Sequence, residues 1–262
     1  MIEALKEISL EREGRAAILT MRRPEKRNAL SRSMMRELAG ALGELGSDRS
    51  VRTVIIAGEG QAFSAGHDLS ELRGCDETSA TEIFDRCVEL METIGRIPQP
   101  VIAEVGALAT AAGAQLVATC DLAVASTHAR FATPGVRIGL FCSTPMVALS
   151  RAVGQKRALH MLLTGEPIDA QTALAWGLVN TVVEPAELRG ATLALAERIA
   201  GASGAVVGLG KAAFYRQLEL DRADAYVYTK RIMIQNAQLE DAQEGIGAFL
   251  EKRPPRWPSE PF

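Results

Sequence analysis

The chain has 262 residues, of which 47% are hydrophobic and 23% charged, a balance typical of a globular protein with a sizeable core. A formal net charge of −3 and no run of basic residues argue against nucleic acid as a partner. Uninterrupted apolar stretches fall short of the roughly 20 residues that a membrane-spanning helix needs, so no span is expected. The start, MIEALKEISLE, is acidic and lacks a long apolar run, which argues against a signal peptide. Four widely spaced cysteines without a CxxC pair predict reduced thiols and a cytoplasmic location.

Strand and helix patterns alternate through the first half of the chain. In chain order the patterns predict a hairpin of residues 6–13 and 15–22, a helix capped by Ser31, a buried strand at 51–58, a helix at 81–97, a strand at 100–107, a helix at 111–119 and a strand at 121–126. The links between these elements are short. This order predicts an α/β fold with a partly parallel sheet.

The pattern becomes helical from about Ser143 onward. One further strand is predicted in VNTVVE, residues 179–184, and everything after Pro185 is predicted as helix until near Lys252. Lys211 is expected on one face of an amphipathic helix in this region. No linker separates the halves, so we predict one domain with a core at 1–200 and a helical region at 201–262 that serves oligomerisation.

Two loop–helix junctions are candidates for a ligand site. EGQAFSAGHDL (59–69) and LATAAGAQL (108–116) each follow a predicted strand and contain glycine. Helix starts offer unpaired N–H groups and partial positive charge. Two such groups from two junctions would form an oxyanion hole on one oxygen. The alternative is that Gly66 and Gly113 only permit tight turns.

Six ordered segments resemble the crotonase superfamily, the enoyl-CoA hydratase/isomerase family, over nearly the whole chain. They are MRRPEKRNALS, AFSAGHDL, PVIAEVGALATAAGAQLVATCDLAVAS, FATPGVRIGL, LTGEPIDAQTALAWGLVNTVV and EGIGAFLEKR. Segments such as SAGHDL and FATPGVRIGLFCSTP are most like the branch of enoyl-CoA hydratase domain-containing protein 3. The resemblance implies a crotonase-like spiral of ββα turns, two nearly perpendicular sheets, and C-terminal helices that build a homotrimer or a dimer of trimers.

The resemblance also implies an acyl-CoA thioester as ligand, within fatty acid metabolism. CoA is then part of the substrate, and neither a separate cofactor nor a metal is expected. The thioester carbonyl would accept hydrogen bonds from the backbone N–H groups of His67 and Ala112. The residues matching the family's CoA contacts are Ala65, Gly66, Asp68 and Leu69 along the pantetheine path, Lys26 and Arg27 at the nucleotide, and Phe249 and Lys252 toward a neighbour's CoA.

Three positions depart from the family's hydratases. The two water-holding glutamates fall at Gln115 and Gly135, and the aspartate that other members use falls at Ser143. A glutamine orients water but takes no proton near pH 7. The residues therefore argue against true hydratase activity, although the family name implies it. The ring of His67 is expected either to face the acyl pocket, with a catalytic role, or to point outward.

Two hypotheses remain open at this point. The first is an enzyme that uses the oxyanion hole without the glutamates, as an isomerase, a thioesterase, or a weak or substrate-assisted hydratase. The second is a non-catalytic acyl-CoA-binding or scaffold protein. An ionisable group aimed at the thioester from near Gln115 favours the first. A pocket without an acid, base or thiol within reach favours the second.

Overall fold

The computed structural model describes residues 5–259, and strands and helices are numbered here in chain order. Among these residues the strands form two sheets. The first sheet has the spatial order β1 (Ile8–Glu13), β2 (Ala16–Met21), β3 (Thr53–Gly58), β5 (Val101–Val105), β7 (Leu122–Ser126) and β10 (Thr181–Val183). The second sheet has the order β4 (Ala62–Ser64), β6 (Leu108–Thr110), β8 (Arg130–Ala132) and β9 (Ile168–Asp169).

The first sheet confirms the strands expected from the apolar runs. β1 and β2 form the predicted antiparallel hairpin around Gly14, and β2, β3, β5, β7 and β10 pair in parallel. Parallel strands are usually covered on both faces, which explains why β3 and β5 are apolar runs rather than alternating ones. The second sheet has strands of only two or three residues. Such strands carry too little pattern to be recognised singly, and only the family resemblance implied them.

The described helices bear out the predicted helical regions. They are α1 (Arg32–Gly46), α2 (Leu69–Leu72), α3 (Glu77–Arg96), α4 (Ala112–Thr119), α5 (Ser143–Ala152), α6 (Gln155–Thr164), α7 (Ala170–Trp176), α8 (Leu188–Ala200), α9 (Gly204–Gln217), α10 (Arg222–Ala237) and α11 (Glu240–Glu251). The Ser31 side chain caps α1 by accepting from the Met34 N–H at 3.0 Å. α3 begins four residues before the predicted start at 81, because Asp76 caps it by accepting from the Ser79 N–H.

The chain alternates between the two sheets. β3 is followed by β4 and then by α2 and α3, and β5 is followed by β6 and α4. β4 pairs in parallel with β6, so the helix starts that follow these strands become neighbours. This repeated ββα order confirms the mixed α/β class with two sheets and brings the two predicted junctions together.

The core lies on both faces of the first sheet. α1, α3 and α4 cover one face with a large apolar cluster that includes Leu38, Leu90 and Leu116. α8 covers the other face through a smaller cluster, in which Ile55 and Leu188 take part. α4 is therefore enclosed between the sheet, α3 and α5.

A buried ionic contact docks the C-terminal helices onto this core. The Asp121 carboxylate accepts from the Val101 N–H, the Lys211 Nζ and the Tyr215 hydroxyl, each at 2.7 Å. The Lys211 side chain is only 6% exposed, so the helix face on which it was expected is a buried one. Pairing on all sides offsets the desolvation cost of these charges. This packing does not test the predicted division of the chain at residue 201. The ends of the two predicted regions, residues 1–4 and 260–262, lie outside the described residues.

Among residues 5–259, no single helix has both the length and the apolar character to cross a bilayer. The segments Pro185–Ala200 and Gly204–Gln217 satisfy both requirements only as a pair, and a 101° bend separates them.

Candidate active site

The loop between β4 and α2 is held in place by the segment that precedes α1. The Leu30 N–H donates to the Gly66 carbonyl at 2.7 Å, and the Asp68 N–H donates to the Leu30 carbonyl at 3.2 Å. The Ala65 N–H likewise donates to the Arg27 carbonyl. The exposed loop 22–27 therefore lies beside the segment 65–68.

Two glycines allow this loop to approach the β6–α4 junction. A Cβ on Gly66 would lie 2.8 Å from Ala111 Cβ and 3.1 Å from the Ala112 nitrogen. A Cβ on Gly113 would lie 2.3 Å from the Ser64 carbonyl oxygen, closer than real contacts allow. Gly66 also has a φ of +88°, a left-handed conformation that favours glycine. Both glycines thus serve a close approach between two segments, and turn formation alone does not account for them.

Backbone N–H groups of both segments lack an acceptor. Among residues 5–259, neither the His67 N–H nor the Ala112 N–H donates to a backbone carbonyl. Ala112 is the first residue of α4, where no intrahelical acceptor exists. Ala111 before it has φ 50° and ψ −119°, a strained conformation for a residue with a Cβ. Strain of this kind is common at functional sites and here sets the direction of the Ala112 N–H.

The ring of His67 lies inside the protein. Its centroid is 5.4 Å from that of Phe84 on α3, in an edge-to-face arrangement. Its Nε2 atom is buried and has no hydrogen-bond partner among the described residues. Burial lowers the pKa of His67 to about 4, so the ring is neutral at pH 7. The alternative in which this ring points outward is wrong.

Gln115 lies on the first turn of α4 and is 5% exposed. Its side-chain oxygen is 3.8 Å from the Cys87 sulfur on α3, a weak thiol hydrogen bond. Its amide nitrogen donates to no residue within the described part of the chain. Burial raises the pKa of Cys87 to about 12, so this thiol stays protonated.

Gly135 is packed too tightly to carry a side chain. An ideal Cβ there would lie 2.2 Å from the Leu140 carbonyl oxygen and 2.8 Å from the Cys142 sulfur. Its φ is not positive, so a left-handed backbone is not the obstacle to a side chain. Direct contact with backbone is the obstacle instead. A glutamate at Gly135 therefore requires the loop 135–142 to move.

Ser143 begins α5 and is exposed. Its hydroxyl donates to the Phe141 carbonyl at 3.4 Å, and within residues 5–259 no base contacts it. The neighbouring Cys142 is buried, and burial raises the pKa of its thiol. Neither residue has the setting of an activated nucleophile.

Lys26, Arg27 and Asp68 differ in whether hydrogen bonds and ion pairs hold their side chains. Lys26 and Arg27 are exposed, and their side chains make no ion pair with any residue from 5 to 259. Asp68 instead caps α2, accepts from the Ser70 hydroxyl at 2.6 Å and pairs with Arg23. The Ser70 hydrogen bond lowers the pKa of Asp68. The Asp68 carboxylate thus stabilises the conformation of the loop between β4 and α2.

The remaining predicted contact residues are spread over two regions. Ala65 is half-buried and accepts from the Thr110 hydroxyl at 3.1 Å, whereas Leu69 is exposed. Phe249 is 82% exposed near the end of α11, and Lys252 follows that helix with a φ of 55°. Within this chain α11 packs mainly on α9 and α10, which leaves the apolar Phe249 side chain uncovered.

Phe84 and Cys87 on α3 were not identified from the sequence as site residues. They belong to no motif, and their helix is separated from both junctions along the chain. Only tertiary packing of α3 on the β4–α2 loop and on α4 brings Phe84 against His67 and Cys87 against Gln115.

A cleft of about 490 Å³ lies elsewhere, between the end of α1 and the start of α9. It is lined by residues that include Gly46, Pro98, Gln99 and Gly204. No residue of the two junctions lines it. The chemistry of the glycine-bearing junctions, and not cavity size, therefore identifies the candidate site. Within residues 5–259 no group of three or more His, Cys, Asp or Glu side chains is arranged to hold a metal.

The fold, with its two neighbouring loop–helix junctions, is that of the enoyl-CoA hydratase/isomerase family. The model of that family, described as Enoyl-CoA hydratase/isomerase, matches residues 11–260. The chain therefore belongs to this family.

Individual relatives agree with the expected branch. The human enoyl-CoA hydratase domain-containing protein 3, mitochondrial, is 51% identical over 93% of this chain and 80% of its own length. A crystal structure of the human protein matches with a TM-score of 0.93 and 48% identity, covering 96% of this chain and 100% of that one. A crystal structure named enoyl-CoA hydratase, from Mycobacterium smegmatis, matches with a TM-score of 0.94 and 48% identity over 97% of this chain and 99% of that one.

The buried His67 ring predicts a distinct pH dependence of stability. The folded pKa is lowered to about 4 from 6.5, so between these values the unfolded chain binds a proton that the folded protein does not. The contribution of the neutral ring to the free energy of unfolding is complete above pH 6.5. It is lost as the pH falls toward 4, and the loss is at most about 3 kcal/mol. Urea unfolding at fixed protein concentration measures it. His67→Phe should lose less stability between pH 7 and 4.5 than the unmodified protein, whereas His128→Phe, at an exposed position, should follow the unmodified protein. Equal pH slopes for all three contradict the buried neutral ring.

Proposed function

We propose that the protein binds an acyl-CoA thioester and polarises its carbonyl through the N–H groups of His67 and Ala112. The observation that carries this proposal is the pair of unpaired N–H groups on two segments that Gly66 and Gly113 allow into contact. Donors fixed before the reaction stabilise an oxyanion without reorganisation, and one such donor is typically worth about 2.7–4 kcal/mol of barrier. Membership in the family supports the ligand class.

The rest of the ligand would extend over the first loop. Lys26 and Arg27, exposed and without an ion pair among residues 5–259, suit the phosphates of the CoA nucleotide. The segment Ala65–Leu69 suits the pantetheine arm. CoA is part of the substrate in this proposal, and no separate cofactor is invoked. A cytoplasmic location and a part in fatty acid metabolism stay predictions. The human relative named above is mitochondrial.

The reaction proposed is one that needs carbonyl polarisation but no strong general base. Gln115 stands where the family's hydratases have a glutamate, and its neighbour Cys87 is a protonated thiol. His67 is neutral at pH 7 and weakly basic. An enolate can be stabilised here, but efficient activation of water has no carboxylate to perform it. Isomerase, thioesterase or slow hydratase activity fits these groups.

A second candidate is acyl-CoA binding without turnover. The specific observation in its favour is that the polar group against Gln115 is a thiol with a pKa near 12, and that the ring of His67, at the other junction, has a pKa near 4. Neither is suited to proton transfer at neutral pH. Both candidates share the same ligand and the same two N–H donors.

Binding of the ligand class is tested by thermal stability. Short- and medium-chain acyl-CoA thioesters should stabilise the protein by about 2.7 kcal/mol at a hundred times the dissociation constant. Ala112→Pro removes the proposed donor and should reduce this protection, with circular dichroism to establish that the variant folds despite the close approach of Gly66 to the Ala112 nitrogen. Gln155→Pro, at the first and exposed position of α6, is the matched control and should retain it. No stabilisation and no calorimetric heat with the unmodified protein would reject the proposed ligand.

Slow hydration of crotonyl-CoA is expected, because Gln115 cannot take a proton from water. Gln115→Glu should raise the rate at least about tenfold, since a positioned base usually contributes 10²–10⁴-fold. Adding Gly135→Glu should instead destabilise the protein, given its contact with the Leu140 carbonyl. Gln155→Glu on the exposed face of α6 should leave the rate unchanged. Turnover by the unmodified protein comparable with an established hydratase, assayed in parallel, would contradict this mechanism.

A homotrimer or dimer of trimers is proposed for the assembled protein. α10 has no buried residue, and α9 to α11 expose large apolar side chains, among them Phe214, Leu218, Tyr226, Met233, Ile234 and Phe249. Such a surface favours association. Light scattering at micromolar concentration should give three or six times the chain mass, and Met233→Glu should lower it, whereas Lys230→Glu on the same helix should not. A monomer for the unmodified protein would contradict the proposal.

A further inference from the structure

The cleft of about 490 Å³ at the start of α9 takes no part in the candidate active site. Gly204 and Ala205, the first two residues of that helix, line it. Among residues 5–259 their N–H groups donate to no acceptor, whereas the Val206 N–H donates to the Ser203 hydroxyl. α9 has 14 residues, so its start offers a partial positive charge together with these two donors.

Two arginine side chains also line this cleft, Arg49 and Arg52. Arg52 is buried, donates to the Ala202 carbonyl at 2.6 Å and lies near the Asp241 carboxylate. Arg49 is exposed and makes no hydrogen bond or ion pair with any residue from 5 to 259. Arg49 is therefore the cation that remains available to an anion in the cleft.

A buried acceptor without a partner belongs to the same cleft wall. The Gln99 side chain lines the cleft and is 6% exposed, and its Nε2 donates to the carbonyls of Leu45, Asp48 and Val51. These bonds fix the amide, which leaves Oε1 as the atom that this side chain can offer to a ligand. Oε1 is buried and has no hydrogen-bond partner in the described part of the chain. Natural proteins keep few such atoms because they cost stability, so the unpaired oxygen indicates a ligand that supplies a donor.

Close packing of α9 on the segment before β5 brings these groups together. A Cβ on Gly208 would lie 2.8 Å from that of Pro98, and the Lys211 Nζ donates to the Gln99 carbonyl at 2.9 Å. A Cβ on Gly204 would lie 2.4 Å from the guanidinium carbon of Arg52. The start of α9 is thus held against the segment that carries Gln99.

The combination of donors and one acceptor restricts the chemistry of a ligand. Helix N–H groups and an arginine bind negatively charged oxygens. The Gln99 oxygen requires a hydrogen-bond donor and repels an oxygen that carries no hydrogen. Sulfate satisfies only the first requirement, because it is fully ionised. Hydrogen phosphate satisfies both, because it has ionised oxygens and a hydroxyl on one group.

We propose that this cleft binds a phosphate group, whose ionised oxygens accept from the Gly204 and Ala205 N–H groups and from Arg49 while a hydroxyl donates to Gln99 Oε1. The hydroxyl belongs to hydrogen phosphate itself or to a hydroxylated phosphate ester. No residue of the two junctions lines the cleft, so this inference does not depend on the proposed function.

Calorimetric titration at pH 8 with four anions, in the absence of CoA compounds, tests the proposal. Phosphate or glycerol 3-phosphate should bind, and the tighter of the two identifies the source of the hydroxyl. Sulfate and methyl phosphate carry no hydroxyl at this pH and should bind at least about tenfold more weakly. Equal affinities for all four anions overturn the role of the Gln99 oxygen. Failure of both phosphate and glycerol 3-phosphate to bind overturns the site.

A proline substitution tests the helix donors. Ala205→Pro removes one N–H in the first turn of α9, where proline is tolerated, and should weaken binding of the preferred anion at least about tenfold. Ala223→Pro, at the same exposed position in the first turn of α10, is the matched control and should leave the affinity unchanged. Circular dichroism establishes that both variants fold.

Arg49→Gln gives a second measure if Ala205→Pro does not fold. It removes the available cation and should weaken binding of the preferred anion at least about threefold. Arg36→Gln, at an exposed position of α1 that does not line the cleft, should bind as the unmodified protein does. An affinity unchanged by both Ala205→Pro and Arg49→Gln places the anion elsewhere and overturns the proposal.

Discussion

Backbone contact between the β4–α2 and β6–α4 segments is the constraint on which the candidate site depends. The Cα of Gly113 lies so near the Ser64 carbonyl that a Cβ would be 2.3 Å from its oxygen, and a Cβ on Gly66 would be 2.8 Å from that of Ala111. A methyl group at either position would separate the segments. Their contact brings together a helix start and a loop whose His67 and Ala112 N–H groups have no acceptor among residues 5–259, so a local packing requirement sets the position of the proposed site.

The remainder of the fold supports this contact from two sides. Parallel pairing of β3 with β5 and of β4 with β6 places consecutive ββα units beside each other. α3 and α4 then pack on the first sheet, and α3 covers the first turn of α4. Asp121 ties β5 and α9 to the same region through charged hydrogen bonds. Rigid elements of this kind hold a site more accurately than loops do.

The side chains inside the candidate site are uncharged. They can form hydrogen bonds with a ligand but are poorly suited to proton transfer. Burial lowers the pKa of His67 and raises that of Cys87, so both side chains are uncharged over the neutral range. Gln115 cannot ionise. The interior therefore offers hydrogen bonds without charge, whereas the cations Lys26 and Arg27 are confined to the exposed loop. This division suits a ligand with an anionic nucleotide and an uncharged acyl end.

Local residues in the sequence determined much of this protein. Apolar runs set the strands, Ser31 sets a helix start, and contiguous segments at 62–69 and 108–116 mark the two junctions and the family. These features can be recognised in the sequence because each depends only on residues that are close together along the chain. Tertiary packing alone decided that Phe84 and Cys87 face His67 and Gln115, since the latter contact joins residues 28 positions apart. It also decided that Lys211 is buried and that the Leu140 carbonyl fills the space beside Gly135, because both depend on which atoms a folded backbone brings near.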